Sequence, residues 1–347
     1  MKRGFLFAAT EIRIHPARNE IKRHLAILTL FGLSLNVAIA QQPLKGIRPT
    51  PIFLDSGGIF TSVDYLYWKP RSNGMDFAVS DPNNDNNIEG PTEQIQPEGG
   101  SGVRASIGYL TDTGWDVMFT YTHFGSHSTR AISAPPGGQL WLTRTNPASG
   151  NNFAFNATGA TSVDYDTYDL EAGYWLYPTS STAIRLFGGI RGATIDEQMI
   201  MSYSGGSIVN GTREQTQSTD LNGVGLRTGA EGHWNVFGNI SLFASAATSV
   251  LVADITTNYI ENEPLGPGKV NISTEYFQTV PVMEVACGIN AQIGCVNIQA
   301  GYELNSWLNV DPRTNFTGSQ NMMRGGQTTV ANDLGLDGLF ARLITIW

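Results

Sequence analysis

Gly338-Leu339-Phe340-Ala341-Arg342-Leu343-Ile344-Thr345-Ile346-Trp347 is the stretch whose reading decides the fold. It alternates like a β-strand, with Leu339, Ala341, Leu343 and Trp347 on one face and its single charge, Arg342, on the other. A chain end in a soluble domain is usually frayed and polar. A strand that stops on a large aromatic instead suits a closed sheet whose rim meets a membrane surface.

Working outward, the same alternation recurs. Val63, Tyr65 and Tyr67 oppose Asp64, Leu66 and Trp68 in a strand over Phe60 to Lys69; Val103 to Tyr109 and Trp115 to Phe124 repeat it. Further strands are predicted at Thr167 to Tyr177, from Thr182 towards Tyr203, around Val224 to Trp234, and from Ile240. Val280 to Ile289, Cys295 to Asn305 and the C-terminal stretch complete ten, with room in the loops for twelve. Short turns (Thr111 to Gly114, Pro178 to Ser181, Asn235 to Asn239, Asn290 to Gly294) alternate with long connections at 71–100, 125–163, Gly205 to Thr219, Tyr259 to Thr274 and Asn309 to Asp333. Five long and four short connections in strict alternation predict an all-β, antiparallel up-and-down transmembrane barrel, with turns on one rim and loops on the other. Trp68, Trp115, Trp175, Trp234, Trp307 and Trp347 fall near strand ends, where interfacial aromatics are expected.

The N-terminus reads as an address. Lys22-Arg23-His24 precedes an apolar run from Leu25 to Val37, and Ala38-Ile39-Ala40 offers a small-x-small cleavage site. Residues 1–40 are therefore expected to be a signal peptide, 41–57 a periplasmic lead-in and 58–347 the barrel. The basic region before the run is long for such a leader, which points to a start downstream of Met1. Removing residues 1–40 would leave 15 Lys+Arg against 28 Asp+Glu, a net charge of −13. That balance excludes a nucleic-acid partner, which needs a basic surface.

Several stretches resemble the pore-forming outer-membrane proteins related to the Legionella major outer membrane protein. They are Val63-Asp64-Tyr65-Leu66-Tyr67-Trp68-Lys69-Pro70, Trp115-Asp116-Val117, Tyr121-Thr122-His123-Phe124, Asp169-Leu170-Glu171-Ala172-Gly173, Phe187-Gly188-Gly189-Ile190-Arg191 and Gly301-Tyr302-Glu303-Leu304-Asn305-Ser306-Trp307. The resemblance spans most of 58–347 and implies an exported barrel with pore activity in a Gram-negative-type outer membrane. Its expected partners are outer-membrane lipid, small hydrophilic solutes and, through the C-terminal strand, the barrel-assembly machinery; a homo-oligomer is compatible with it.

The polar strand faces predict a lumen lined by Asp64, Arg104, Asp116, Asp169, Glu171, Arg185, Arg191, Arg227, Glu231, Glu284, Glu303 and Arg342. Such a lining is read as a water-filled path that makes the barrel a passive pore for small hydrophilic solutes or ions, its charge rows orienting what permeates; the alternative is an internal ion-pair network that plugs a narrow bore, leaving a non-conducting structural or surface-interaction barrel that works through its long loops. Asp169 and Glu171 share one strand face as a lumen row and are not read as a catalytic pair. His123 and His127 lie near the outer rim without a third metal ligand. No nucleophile elbow, phosphate loop or Cys-x-x-Cys occurs, so neither enzyme nor cofactor is expected. Cys287 and Cys295 flank a turn in a compartment that permits a disulfide, and the sequence leaves their register open. Five Asn-x-Ser/Thr sequons read as chance in a bacterial protein.

Overall fold

The computed structural model describes residues 57–85, 87–146, 153–262, 270–316 and 327–347. The predicted signal peptide and nearly all of the lead-in lie outside the described residues. Fourteen strands follow in order: β1 (Gly58–Arg71), β2 (Asp76–Asp81), β3 (Thr92–Gln94), β4 (Gly100–Leu110), β5 (Trp115–Ser133), β6 (Gln139–Leu142) and β7 (Phe153–Ala154); then β8 (Asn156–Thr179), β9 (Thr182–Gly205), β10 (Ile208–Phe237), β11 (Ile240–Asn262), β12 (Val270–Ile293), β13 (Val296–Phe316) and β14 (Gln327–Ile346).

Ten of them close into an antiparallel barrel, β1-β14-β13-β12-β11-β10-β9-β8-β5-β4. Closure is made by β1 against β14, in register from Phe60 opposite Ile346 to Arg71 opposite Gly335. Closing the sheet removes the two unpaired edges that an open sheet would expose, and only a closed sheet is tolerated in lipid. The C-terminal strand thus does what its alternation predicts: Phe340, Arg342 and Ile344 point inward, while Leu339, Leu343 and Trp347 point out.

Outward positions form a continuous apolar belt that includes Ile59, Tyr65, Val117, Phe119, Leu170, Leu186, Leu226, Val250, Met283 and Leu304. Polar side chains end the belt on the long-loop side: His123, Asp166, Asp196, Asp220 and Asp254 on the neighbouring strands β5, β8, β9, β10 and β11, and Asp337 on β14. On β11 the belt runs from Ile240 to Val252. That is about 40 Å of strand, or roughly 28 Å of membrane thickness at the ~45° tilt usual for such barrels.

Two features depart from the reading of loops. The strands on the long-connection side extend far past the belt, so the connection expected at Gly205 to Thr219 is a tight hairpin. Gly205 and Gly206, at φ 76° and 64°, supply the left-handed turn. The connections expected at 71–100 and 125–163 contain a second sheet, β3-β2-β6-β7. It is held by an apolar cluster of Met75, Phe77, Ile95 and Leu140 with Met199, Met201, Tyr203 and Ile208 of the extended barrel strands. Tyr203 donates its hydroxyl to the Phe77 carbonyl at 2.6 Å. These cap strands are two to six residues long, too short for alternation to reveal.

Candidate functional site: the barrel interior

Period-2 geometry sends every second side chain inward, so the interior can be read strand by strand. The twelve residues predicted to line a lumen all occupy inward positions. Their partners cross between strands. Asp64 on β1 accepts from Arg342 Nε and Nη2, both at 2.8 Å, and from Arg104 Nη1 at 3.1 Å. Arg104 also forks onto Glu303 at 3.1–3.2 Å, and the Trp68 indole donates to Glu303 at 2.9 Å.

A second group lies across the bore. Arg185 donates to Asp116 (2.6 Å) and Glu171 (3.3 Å), and Arg191 forks onto Asp169 at 2.6 and 2.7 Å. Arg227 joins Glu171 to Glu284 (2.8 Å), and Arg191 reaches Glu284 at 3.0 Å. Near the turn rim His233 Nε2 sits 2.5 Å from Glu231 Oε1, its ring stacked on Phe243. The charged residues surround a cavity of about 150 Å³, room for roughly five waters at about 30 Å³ each.

Above this charged storey the bore is filled by an apolar one. Leu66, Trp68, Phe124, Tyr165, Ile195, Leu221, Leu251, Ile255, Val280, Val282, Trp307, Leu334 and Leu336 form a single buried cluster. Trp68 packs on Phe124 (5.3 Å between ring centroids) and Tyr165 (5.9 Å), and Tyr165 packs on Trp307 (5.7 Å). Further towards the cap come buried ion pairs, Arg313 with Asp311 (2.6 Å) and Glu197, Arg213 with Glu261, and Arg144 with Asp76. The Tyr259 hydroxyl lies 2.8 Å from both the Arg144 carbonyl oxygen and Glu261 Oε2 and shares its one proton between them.

Three aromatic assignments need correction. Trp68, Trp175 and Trp307 are 1%, 3% and 0% exposed and face the interior, whereas Trp115, Trp234 and Trp347 are 52%, 58% and 79% exposed and face outward. Parity explains the split. Trp68 shares its face with Asp64, Trp175 with Glu171, and Trp307 with Glu303; nearness to a strand end says nothing about which face a residue takes. The disulfide is also absent. Cys287 lies opposite Tyr302 on β12 and β13, while Cys295 sits in the turn beyond Ile293, and both thiols are free. Six residues of strand separate them by about 20 Å, far beyond the ~7 Å Cα limit for a bridge.

The aromatic storey was the feature the residues did not flag. A signal existed, since Leu66 and Trp68 continue the Asp64 face. At the outer wall His123 Nδ1 lies 3.0 Å from Asp166 Oδ1, to which Tyr121 also donates. No group of three His, Cys, Asp or Glu among the described residues is arranged to hold a metal.

A closed ten-stranded barrel with an outward apolar belt and buried ion pairs inside defines an integral outer-membrane protein. The chain belongs to the family described as the Legionella pneumophila major outer membrane protein precursor, matched over residues 60–345. Its place is the outer membrane of a Gram-negative bacterium. Among solved structures it is similar to the outer membrane protease OmpT of Escherichia coli (11% identity, 84% of this chain and 97% of that chain, TM-score 0.48). Others are a Pseudomonas aeruginosa FadL homologue (9%, 84% and 90%, TM-score 0.25) and an anion-selective porin from Comamonas acidovorans (9%, 84% and 99%, TM-score 0.18). No curated protein matches.

Proposed function

We propose that this protein is a non-conducting outer-membrane barrel that acts through its extracellular extensions and cap, as a structural or surface-interaction protein without catalytic activity. The observation that carries this reading is the apolar storey. Trp68, Tyr165, Trp307, Leu66 and Phe124, each 2% exposed or less, meet across the bore between two layers of ion pairs. A hydrophilic solute or ion crossing it would shed its water without compensation, which is prohibitive for a charge.

The second reading is a passive pore for small hydrophilic solutes. It is favoured by the charge-lined cavity at mid-barrel and by the pore activity that the family resemblance implies. It requires the aromatic layer to move aside, because the cavity alone spans only part of the bore. Docking of β14 on the assembly machinery belongs to the same proposal, and its support is the outward apolar face of that strand, Leu339 and Leu343 followed by Trp347.

Solute flux into liposomes separates the two. Vesicles carrying the refolded protein are expected to swell in small sugars no faster than protein-free vesicles. Swelling that scales inversely with sugar size would replace the closed barrel with the pore.

A further inference from the structure

On the long-loop side the barrel wall parts between β12 and β13. β12 pairs with β11 from Val270 opposite Glu261 to Ala291 opposite Ile240. Its ladder to β13 stops at Val282 opposite Trp307, and no described strand pairs with 270–281 on that side. β13 turns away instead. Its register against β14 shifts between Trp307 and Asp311, where Asn309 takes a left-handed conformation at φ 60°. Past that bulge the strand folds into the bore. Val310, Asp311, Arg313 and Thr314 are all buried, the Pro312 carbonyl accepts from Gln217 Nε2 of β10 at 2.9 Å, and Arg313 reaches Glu197 of β9.

The edge this leaves on β12 has a defined direction. The Gln292 N–H donates to the Asn239 carbonyl at 2.9 Å, so even-numbered residues of β12 turn their backbone groups to β11. The register with β11 is unbroken, so the odd-numbered residues turn theirs to the other side throughout. Pro281 is the first odd position above the β13 ladder, and it has no N–H to give. Beyond it Asn271, Ser273, Glu275, Phe277 and Thr279 present N–H and C=O groups along about 30 Å of edge. All five side chains are exposed, Phe277 at 67%, and they stand at or past the end of the belt, Thr279 lying opposite Val252. Natural edges avoid pairing through lysines, prolines or bulges. Above Pro281 this one has none of these, and its single charge is Glu275.

We infer that the 271–279 edge of β12 binds an extended segment of another polypeptide, added as an antiparallel strand with a basic residue opposite Glu275 and an apolar one opposite Phe277. The occupant follows from the groups on offer. Alternating backbone donors and acceptors at strand spacing are met in full only by another strand, and main-chain bonds then give affinity while alternate side chains give specificity. Directly opposed side chains couple across such a pair, so a carboxylate selects a cation and an exposed ring selects an apolar neighbour. A second copy does not fit. Barrels standing upright in one membrane with strands tilted about 45° would cross their β12 edges at roughly 90° and touch at one point. Such a site supplies the surface-interaction reading with a partner and rests on that reading.

The probe is a nine-residue synthetic peptide of valine and threonine with one lysine at its centre. It is titrated against the full mature protein in mild detergent, with a heat-modifiable gel band as the check on folding. Saturable one-to-one binding is expected. With the lysine opposite Glu275, the peptide's odd-numbered amides face β12. Methylating those nitrogens should weaken binding about ten-fold or more, and methylating the even-numbered ones should leave it unchanged. Glu275→Lys should shift the preference to a peptide with a central glutamate. Ser273→Pro removes one edge N–H without touching the β11 ladder and should weaken binding several-fold. Should that variant fail to fold, the two methylation patterns on wild type decide alone. Wild type that binds no peptide, or both methylated forms equally, overturns the inference. A β12-to-β12 cross-link between copies would name a second copy as the occupant and equally overturn it. Solute flux plays no part in this readout, so the strand site and the closed barrel can fail separately.

Discussion

Removing the Asp64 carboxylate should loosen the barrel at its closing seam. Asp64 is fully buried on β1 and accepts three charge-assisted hydrogen bonds, two from Arg342 on β14 and one from Arg104 on β4. In Asp64→Ala, Arg104 keeps Glu303, but Arg342 is left with a single bond to Gln299 at 3.3 Å. Breaking a buried ion pair by removing one partner costs about 3–5 kcal/mol. The Arg342 side chain is 23% exposed, which tempers the penalty, so the lower end, about 3 kcal/mol, is expected. For a chain of this size that corresponds to a fall of roughly 6–12 °C in Tm. The assay is conversion of the fast-migrating folded band to the unfolded band across a temperature series. Asp64→Asn should fall between wild type and Asp64→Ala, and Asp64→Leu with Arg342→Met should recover part of the loss because no charge is then stranded. A shift of 2 °C or less in Asp64→Ala would mean that bulk water already solvates this storey, refuting the sealed interior.

Other outcomes follow from the same structure. Brominated lipids should quench Trp115, Trp234 and Trp347, and Phe at Trp68, Trp175 and Trp307 should leave the quenchable amplitude unchanged; quenching lost with Trp307→Phe would reverse its face. Mild oxidation should leave two titratable thiols per chain, since Cys287 and Cys295 lie about 20 Å apart; loss of both in a monomer would break the β12–β13 register. In the cap, the Trp141 indole N–H (2.8 Å) and the Asn83 amide (2.9 Å) hold the Asp81 carboxyl below its usual 3.8. Because that folded-state value is depressed, Asp81 contributes cap stability in full above pH 3.8, and the contribution is lost as pH falls through the lower folded value. Protease sensitivity of the 76–81 strand should therefore rise at acid pH in wild type, while Asp81→Asn should be sensitive already at neutral pH; identical profiles would remove Asp81 from the account.

Much of this architecture is written in the alternation. Val63-Asp64-Tyr65 or Asp169-Leu170-Glu171 fixes which side meets lipid, because a one-residue slip would put carboxylates into hydrocarbon. The four short turns were legible from Gly, Pro and Asn, and the structure breaks its strands at 111–114, 180–181, 238–239 and 294–295. What the residues did not disclose arises where alternation loses contrast. Beyond the belt, stretches such as Thr212 to Thr219 are polar on both faces, so they read as loop although paired throughout with β9. Inside, Leu66 and Trp68 share the Asp64 face, and an apolar residue on a polar face is ambiguous until nine of the barrel strands bring thirteen of them into one cluster. The charged residues read as a lumen; the aromatic layer above them came only from three-dimensional register.

The most direct measurement is current through planar bilayers, comparing wild type with Trp68→Ala/Trp307→Ala, both first shown to be heat-modifiable. The closed-barrel account predicts a silent wild type and small, salt-dependent steps once the two indoles that fill the apolar storey are removed. Discrete steps of equal size in both proteins would contradict it and establish an open pore.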